Sequence, residues 1–545
     1  MQRIKRGKSI ATLAALLLAG ATPSTSAGQN MPFVARLGEA QVRVQQGNLL
    51  GFVDRGVHTF RGVPYAKAAR FMAPQTPDAW EDVRLAVNYG ESCPIPRMDK
   101  VADDEQFNPH RYMPENEACQ FLNIWTPAPD DAKRPVMVWL HGGGFTNGSA
   151  IEQDSYDGRN LAEKGDVVVV SLNHRLNVLG TLDLSAFGDQ YAASANTGMK
   201  DIVAALQWVK ANIAAFGGDP ENVTIFGQSG GGSKVRILMG TPSAEGLFDK
   251  AIVQSGASIN SATISENVAQ VIARRTVENL GLTDATIGQI ETVPYARLIK
   301  AANDALNQVE ADGLWANPSF RPSVDGDFLP EDPVEGGWKK YAKNVSFMVG
   351  NVLNEFETIL AKGGVAPLVA DNKRDWSPEK TDRKMTERFG DDAKAISAAW
   401  AEAYPDLAPQ DAYFFDTARR NGVIHHANLK ALQSGAPVYS FVFAWQSPVF
   451  DGVAGAWHCS EIPFVFDNVG LVPQSNGGGD NAKALAQKMS QAWINFARFG
   501  NPNHDGLPNW PAYTPENGAT MIFNNVSDVR HHHDQKIMNI LYGGG

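Results

Sequence analysis

Apolar positions along the chain fall into two recurring patterns: short continuous runs, and longer stretches spaced for one face of a helix. Val136-Met137-Val138-Trp139-Leu140, residues 167–172, Ala251-Ile252-Val253, Val345-Ser346-Phe347-Met348-Val349 and residues 438–443 read as strands. Such short apolar runs suit strands buried on both faces of a sheet. Between them, residues 201–215 place Ile202, Ala205, Leu206, Val209 and Ile213 at helical spacing, ended by Phe216-Gly217-Gly218-Asp219-Pro220. Further helices are expected from Gly231 to about Met239 and over residues 482–498, the latter with Leu485, Met489, Ala492, Trp493 and Phe496 inward. Strands alternating with helices predict an α/β fold, a large, mainly parallel central sheet covered on both faces.

The flanking segments differ. Residues 40–63 carry short runs split by glycines and read as a small antiparallel meander. Residues 73–114, rich in Pro and Asp, read as mostly loop, and Asn123-Ile124-Trp125 as a further strand. Residues 266–308 and 382–403 are largely helical, with 345–349 the only clear strand between them. Helical material inserted over the sheet in this way would supply walls for a site. No internal repeat or clear linker divides the chain, so one domain is expected over residues 33–545.

Residues 1–27 read as a signal peptide. Arg3, Lys5, Arg6 and Lys8 precede an apolar run over residues 10–21, followed by small residues. Cleavage fits after Ala21 or after Ala27, and the run is short for a bilayer span. No later segment is long and apolar enough to cross a membrane. The mature chain is therefore expected in the periplasm or secreted. Composition agrees with a large folded core, at 43% hydrophobic and 20% charged residues. A net charge of -11, with acidic residues spread along the chain, argues against a nucleic-acid partner. Export permits disulfides. With three cysteines, Cys93, Cys119 and Cys459, at most one intrachain pair forms, and the count leaves the choice open.

The chemistry centres on Val223-Thr224-Ile225-Phe226-Gly227-Gln228-Ser229-Gly230-Gly231-Gly232. A β-branched apolar run stops at glycine, a serine follows, and three glycines come next. Gly227-Gln228-Ser229-Gly230-Gly231 fits G-x-S-x-G, the strand-to-helix turn that exposes a nucleophilic serine in α/β-hydrolases. Upstream, His141-Gly142-Gly143-Gly144-Phe145 follows a buried strand. Its glycines let consecutive backbone N–H groups face a cavity, as an oxyanion hole requires.

These motifs, with others in order, give the chain a resemblance to the type B carboxylesterases, the group of para-nitrobenzyl esterases, fungal lipases and cholinesterases. The resemblance runs from about Val34 to the C-terminus. It is densest from Asn196-Thr197-Gly198-Met199-Lys200-Asp201 to the serine turn, with further matches at residues 116–123, Pro322-Ser323-Val324-Asp325-Gly326 and Trp510-Pro511-Ala512-Tyr513-Thr514. It implies the α/β-hydrolase fold and a serine carboxylesterase working through an acyl-enzyme without cofactor or metal. It also implies partners for Ser229: Glu355 in Gly350-Asn351-Val352-Leu353-Asn354-Glu355, with Glu357 the alternative, and His458 in Gly455-Ala456-Trp457-His458. Backbone N–H groups of Gly143, Gly144 and Gly230 would form the oxyanion hole, and His141 would support the glycine loop. The resemblance further implies a Cys93–Cys119 disulfide, with Cys459 outside it, and an Arg70–Glu117 ion pair beside that loop.

Residue types match the chemistry. A serine hydroxyl needs a base to take its proton, histidine titrates near neutrality, and a carboxylate fixes the histidine tautomer. Arg530-His531-His532-His533-Asp534 reads as a solvated tail feature rather than a metal site.

Four departures from the family bear on substrate, mechanism or packing. Gln228 stands where glutamate is common, removing a negative charge beside the serine. No tryptophan lies between Cys93 and Cys119, where cholinesterases hold a quaternary ammonium by cation–π attraction, although Phe107 and Tyr112 could substitute. The expected substrate is a neutral or anionic ester rather than a choline ester; a longer-chain lipase substrate and a non-catalytic binding role are the alternatives. Gly230 replaces a common alanine, which should leave the backbone donor intact. Cys459 replaces a frequent glycine and reads as a small buried thiol.

Overall fold

The computed structural model describes residues 33–97, 101, 103–260 and 262–543, so the signal-peptide segment lies outside the described residues. Among the described residues the main sheet has eleven strands. In chain order they are β1 (Phe52–Asp54), β2 (Val57–Pro64), β3 (Phe121–Thr126), β4 (Arg134–Leu140), β5 (Val168–Leu172) and β6 (Gly218–Gln228). There follow β7 (Lys250–Gln254), β8 (Ser346–Val352), β9 (Val438–Phe443), β10 (Ala519–Phe523) and β11 (Asp528–His531). Across the sheet the order is β11-β10-β9-β8-β7-β6-β4-β5-β3-β2-β1. From β10 to β5 neighbours run parallel. The two margins are antiparallel.

Strand periodicity splits the core in two. Met137 and Trp139 of β4 join Phe226, Ile252 and Met348 on one face. Val136, Val138 and Leu140 join Ile225, Val253 and Val349 on the other. Alternate side chains of a strand point to opposite faces, and here both faces are covered. Burying each such side chain stabilises the fold by roughly 2 kcal/mol.

Helices α1 (Thr197–Asn212) and α2 (Gly230–Leu238) cover the second face through Ile202, Leu206, Val235 and Ile237. Helices α3 (Glu266–Asn279) and α4 (Tyr295–Ala311) pack on each other around a separate apolar cluster with Phe71, Leu179 and Tyr191. Helices α5 (Pro378–Phe389), α6 (Ala393–Ala403) and α8 (Asp480–Phe499) lie on the first face, and α7 (Thr417–Ala431) adds Val423 and Ala427 to the second. In α8, Leu485, Met489, Ala492, Trp493 and Phe496 are all buried, as their spacing predicts. Among the described residues, no helix is long and apolar enough to cross a membrane.

The meander expected over 40–63 is divided between two sheets. Gln41–Val44 and Gly47–Leu50 pair with Val83–Leu85 in a three-stranded sheet, whereas β1 and β2 join the main one. The chain passes between them at Gly51, where a Cβ would lie 2.3 Å from the Thr59 carbonyl oxygen. The Val83–Leu85 strand and a 3-10 turn over Asp103–Gln106 also interrupt the segment expected to be loop.

A larger correction concerns Arg530-His531-His532-His533-Asp534. It is not a solvated tail: His531 and His532 are exposed, but His533 is half-buried with its side chain covered, and Asp534 is buried. Asp534 accepts from Arg420 Nε at 2.5 Å on α7, and this pairing holds its carboxyl down near 2 against burial. Burial pushes the His533 imidazole down to about 4.

Candidate active site

Ser229 sits alone between the end of β6 and the start of α2, with φ 55° and ψ -121°. A non-glycine residue in such a conformation stores about 1–3 kcal/mol. The surrounding backbone holds it, with Ser229 N–H donating to the Gln254 carbonyl at 2.8 Å. Glycine at 231 is obligatory, because a Cβ there would meet the Leu140 carbonyl oxygen at 1.9 Å. At Gly227 a Cβ would fall 2.6 Å from the carbonyl carbon of Gly231. The turn is therefore as crowded as its sequence implies.

The glycine loop leaves β4 alongside. Gly143 and Gly144 have φ of 78° and 64°, and Thr146 and Asn147 N–H groups close the turn onto the Gly143 carbonyl. His141 supports it as expected, Nδ1–H donating to the Gly142 carbonyl at 3.0 Å while its ring stacks on His174 with centroids 4.9 Å apart. Beneath the loop, Lys234 Nζ donates to the His141 carbonyl at 2.9 Å. Burial pushes the Lys234 ammonium down to about 7. No motif marks Lys234, but the sequence does carry a signal for it. A short helix that starts at the end of a buried strand is buried almost throughout, so a charge inside it needs a purpose.

Gly230 matters more than its backbone N–H alone suggests. A Cβ there would lie 2.4 Å from both N and O of Gly144, so the two backbones touch. Alanine would keep the Gly230 N–H but push the Gly143–Gly144 loop away. Gly230→Ala should lower kcat about 10²-fold, the usual effect of losing one oxyanion donor, with KM little changed. Steady-state kinetics on para-nitrophenyl acetate test this; wild-type kcat in the variant would contradict it.

Two loops at the sheet's C-terminal edge bring Glu355 and His458 together. After β8 the chain turns at Glu355, φ 37°, and forms a parallel bridge to Trp457. His458 N–H donates to the Glu355 carbonyl at 3.1 Å. The side chains then meet: His458 Nδ1–H donates to Glu355 Oε2 at 2.5 Å, while Oε1 accepts from Val352 N–H at 3.1 Å. Glu355 is fully buried and His458 nearly so. The alternative acid, Glu357, pairs instead with Arg388 at 3.2 Å.

Other buried carboxyls flank this pair. Glu461 accepts from Gln254 Nε2 at 3.1 Å. Burial pushes its carboxyl up to about 8, and the negative charge of Glu355 adds to the effect. Burial likewise raises Asp416 to about 6, again with help from Glu355. The sign for stability follows from proton binding. Between about pH 4.5 and 8 the native chain keeps a proton on Glu461 that the unfolded chain has lost, so stability falls as pH rises through that window. In Glu461→Gln the melting temperature should gain on wild type steadily from pH 5 to pH 8; a constant difference would contradict this.

Ser229, His458 and Gly143 open on one cavity of about 260 Å³. Gln228 and Cys459 lie in its wall and touch, the thiol donating to Gln228 Oε1 at 3.3 Å. Gln228 Nε2 is 3.4 Å from His458 Nε2. Cys459 has φ 78°, a conformation that explains a glycine preference there. Two departures far apart in the sequence are therefore in contact. Phe107 is wholly buried against Phe450 and Trp457 and does not line the cavity, so only Tyr112 of the two candidate substitutes reaches it. Tyr112 donates its hydroxyl to Glu105 at 2.5 Å.

The disulfide joins Cys93 and Cys119, and Cys459 is buried outside it. Arg70 Nε donates to Glu117 Oε2 at 2.7 Å and anchors the same region to the Val293 carbonyl. Motifs remote in sequence also meet. Asn196 Nδ2 donates to the Ser323 carbonyl at 3.0 Å and to Asp325 at 2.8 Å.

A serine on a strained turn, a buried carboxylate–histidine pair and a glycine loop around one cavity are the parts of a serine hydrolase. The carboxylesterase family model matches residues 38–540. The chain belongs to the carboxylesterase family. It is 36% identical to the para-nitrobenzyl esterase of Bacillus subtilis (strain 168) over 488 residues, 88% of this chain and 94% of that protein. Carboxylesterase 3 of Homo sapiens is 32% identical, with 94% of this chain and 91% of that protein covered. Among solved structures, an esterase from Clostridium hathewayi described as able to hydrolyse aliphatic aromatic polyesters superposes with a TM-score of 0.86 at 40% identity. That match covers 94% of this chain and all of the other. A thermophilic para-nitrobenzyl esterase superposes at 0.72 with 32% identity, covering 92% of this chain and 99% of its own. The architecture is the α/β-hydrolase fold, and this carboxylesterase is a carboxylic ester hydrolase of the serine type.

Proposed function

We propose that Ser229 is the nucleophile of this carboxylesterase, His458 its base and Glu355 the acid behind it. The carrying observation is the hydrogen bond from His458 to buried Glu355 at the wall of the cavity that Ser229 enters. His458 takes the Ser229 proton as Oγ adds to the ester carbonyl. N–H groups of Gly143, Gly144 and Gly230 meet the charge developing on oxygen. His458 then gives its proton to the departing alcohol, leaving an acyl-enzyme that water cleaves by the same steps reversed. Imidazolium formed in each half-reaction is stabilised by Glu355.

The substrate is an ester uncharged or anionic rather than a choline ester. Gln228 puts no charge beside the serine, and no tryptophan is among the described residues that line the cavity. Two of its acidic residues are engaged, Glu105 by the Tyr112 hydroxyl and Glu152 by that of Tyr156 at 3.1 Å. The proposal extends to residues 1–27 as a leader cleaved after Ala21 or Ala27, residues 33–545 as one catalytic domain, and a periplasmic or secreted destination.

A panel of para-nitrophenyl esters of increasing chain length, with butyrylcholine as the cationic member, tests this. Saturating kinetics below the solubility limit with short esters, and poor butyrylcholine turnover, are expected. A rate jump above the solubility limit would make the enzyme a lipase, efficient butyrylcholine turnover would overturn the charge preference, and a folded protein inert to every ester would favour a binding role.

A further inference from the structure

Ser229 borders a second cavity, of about 320 Å³, whose lining includes Gly144 and Gly230 but not His458. The two cavities differ in charge. Glutamates 105, 115 and 152 line the first, together with His110 and Arg111. Among the described residues, the second is lined by Arg236, Arg321 and Arg419 and by no carboxylate.

The roles proposed for Ser229 and His458 decide which half of an ester each cavity receives, and the assignment of the second cavity rests on them. His458 must reach the alcohol oxygen to protonate it, so the alcohol half occupies the cavity that His458 lines. The acyl carbon stays on Ser229 between the oxyanion donors, and its chain extends into the second cavity.

Arg236 is built into that cavity rather than laid on its rim. It lies on α2, seven residues beyond Ser229 and therefore on the same helix face, and is 2% exposed. Nη1 donates to the Gly256 carbonyl at 2.8 Å, but buried Nε has no hydrogen-bond partner among the described residues. Buried Ser255 Oγ, in the same lining, has none there either. Arg419, on α7, lays its guanidinium 5.0 Å from the Phe356 ring centroid, and that ring lies 4.1 Å from the His458 ring. Arg321 donates to Ser319 Oγ at 3.0 Å and stacks over Trp315. A buried guanidinium with an unmet N–H is unfavourable until an acceptor reaches it, and a carboxylate offers two acceptor atoms in matching geometry. A plain alkyl chain offers none.

We propose that this cavity binds an acyl chain ending in a carboxylate, so that the preferred substrates are half-esters of dicarboxylic acids, held by Arg236, Arg321 and Arg419. Hydrolysis adds water across the acyl carbon–oxygen bond and releases a dicarboxylate and a neutral alcohol. Arg236, Arg321 and Arg419 are specificity residues here; they do not touch the reacting atoms.

Two esters of equal chain length test the proposal: para-nitrophenyl hexanoate, and the mono-para-nitrophenyl ester of adipic acid. The wild-type protein should show kcat/KM at least about tenfold higher for the adipate half-ester, and the advantage should shrink at high salt. In Arg321→Gln/Arg419→Gln the ratio of the two kcat/KM values should fall about tenfold or more, whereas Arg321→Lys/Arg419→Lys should keep most of it. A 4-carboxyphenyl hexanoate, with the charge moved to the alcohol half, should gain nothing over phenyl hexanoate. If hexanoate is cleaved but the half-ester is not preferred, or the ratio survives both glutamines, the charged acyl site is overturned while the hydrolase reading stands. If neither ester is cleaved, the hydrolase reading fails and this proposal fails with it.

Discussion

Ester turnover by Ser229→Ala is expected to fall by roughly six orders of magnitude, with the fold intact. The proposed nucleophile contributes a bond, not a contact, so nothing nearby can substitute for it. Its hydroxyl is also held by a backbone that alanine can keep: φ 55° is imposed by glycines 227, 230 and 231 and by the hydrogen bond to Gln254. His458→Ala should cost about as much, and the double variant no more than either, because the two act as one unit. Turnover of para-nitrophenyl acetate by Ser229→Ala at the wild-type rate would refute the assignment.

Glu355→Gln should lower kcat by about 10⁴-fold, with substrate binding little affected. The two carboxylate oxygens face two donors, Val352 N–H and His458 Nδ1–H. A glutamine has one acceptor oxygen and one amide nitrogen. Whichever way it turns, an N–H opposes a donor, or His458 flips its tautomer and loses its lone pair on the side facing the serine. The imidazolium also loses its counter-charge in a site where Glu355 is fully buried. Glu357→Gln, at the surface pair with Arg388, should change kcat little. Reversed effects at 355 and 357 would transfer the role.

Much of the fold and the site is legible in the sequence for identifiable reasons. The central strands are short apolar runs because both faces are buried, and β9 has the bounds its pattern gives. The serine turn is readable because crowding at 227 and 231 leaves glycine as the residue that fits. Helix α7 is hard to see because its buried positions include Arg420 and His426, hydrogen-bonded to Asp534 and to the Gly422 carbonyl, so no apolar stripe marks it. The same cause hides Asp534, which reads as part of a polar tail until its partner on α7 is known. Glu461 and Lys234 carry displaced protonation because of what surrounds them, and burial is not written in one residue's letter. The arginine-lined cavity is invisible in the sequence: its three cations come from α2, the segment before Ser323 and α7, joined only by the fold. Gly230 misleads in a different way. Its donor is legible in the motif, but the contact with Gly144 exists only in three dimensions.

The central claim, that Ser229 is the reacting atom's owner, is tested most directly by covalent labelling. The wild-type protein would be treated with diisopropyl fluorophosphate, and its intact mass and peptide map measured. One adduct per chain, on the peptide that contains Ser229, with loss of esterase activity in step and no adduct in Ser229→Ala, is the predicted result. An adduct on another residue, or activity that persists after Ser229 is fully labelled, would contradict it.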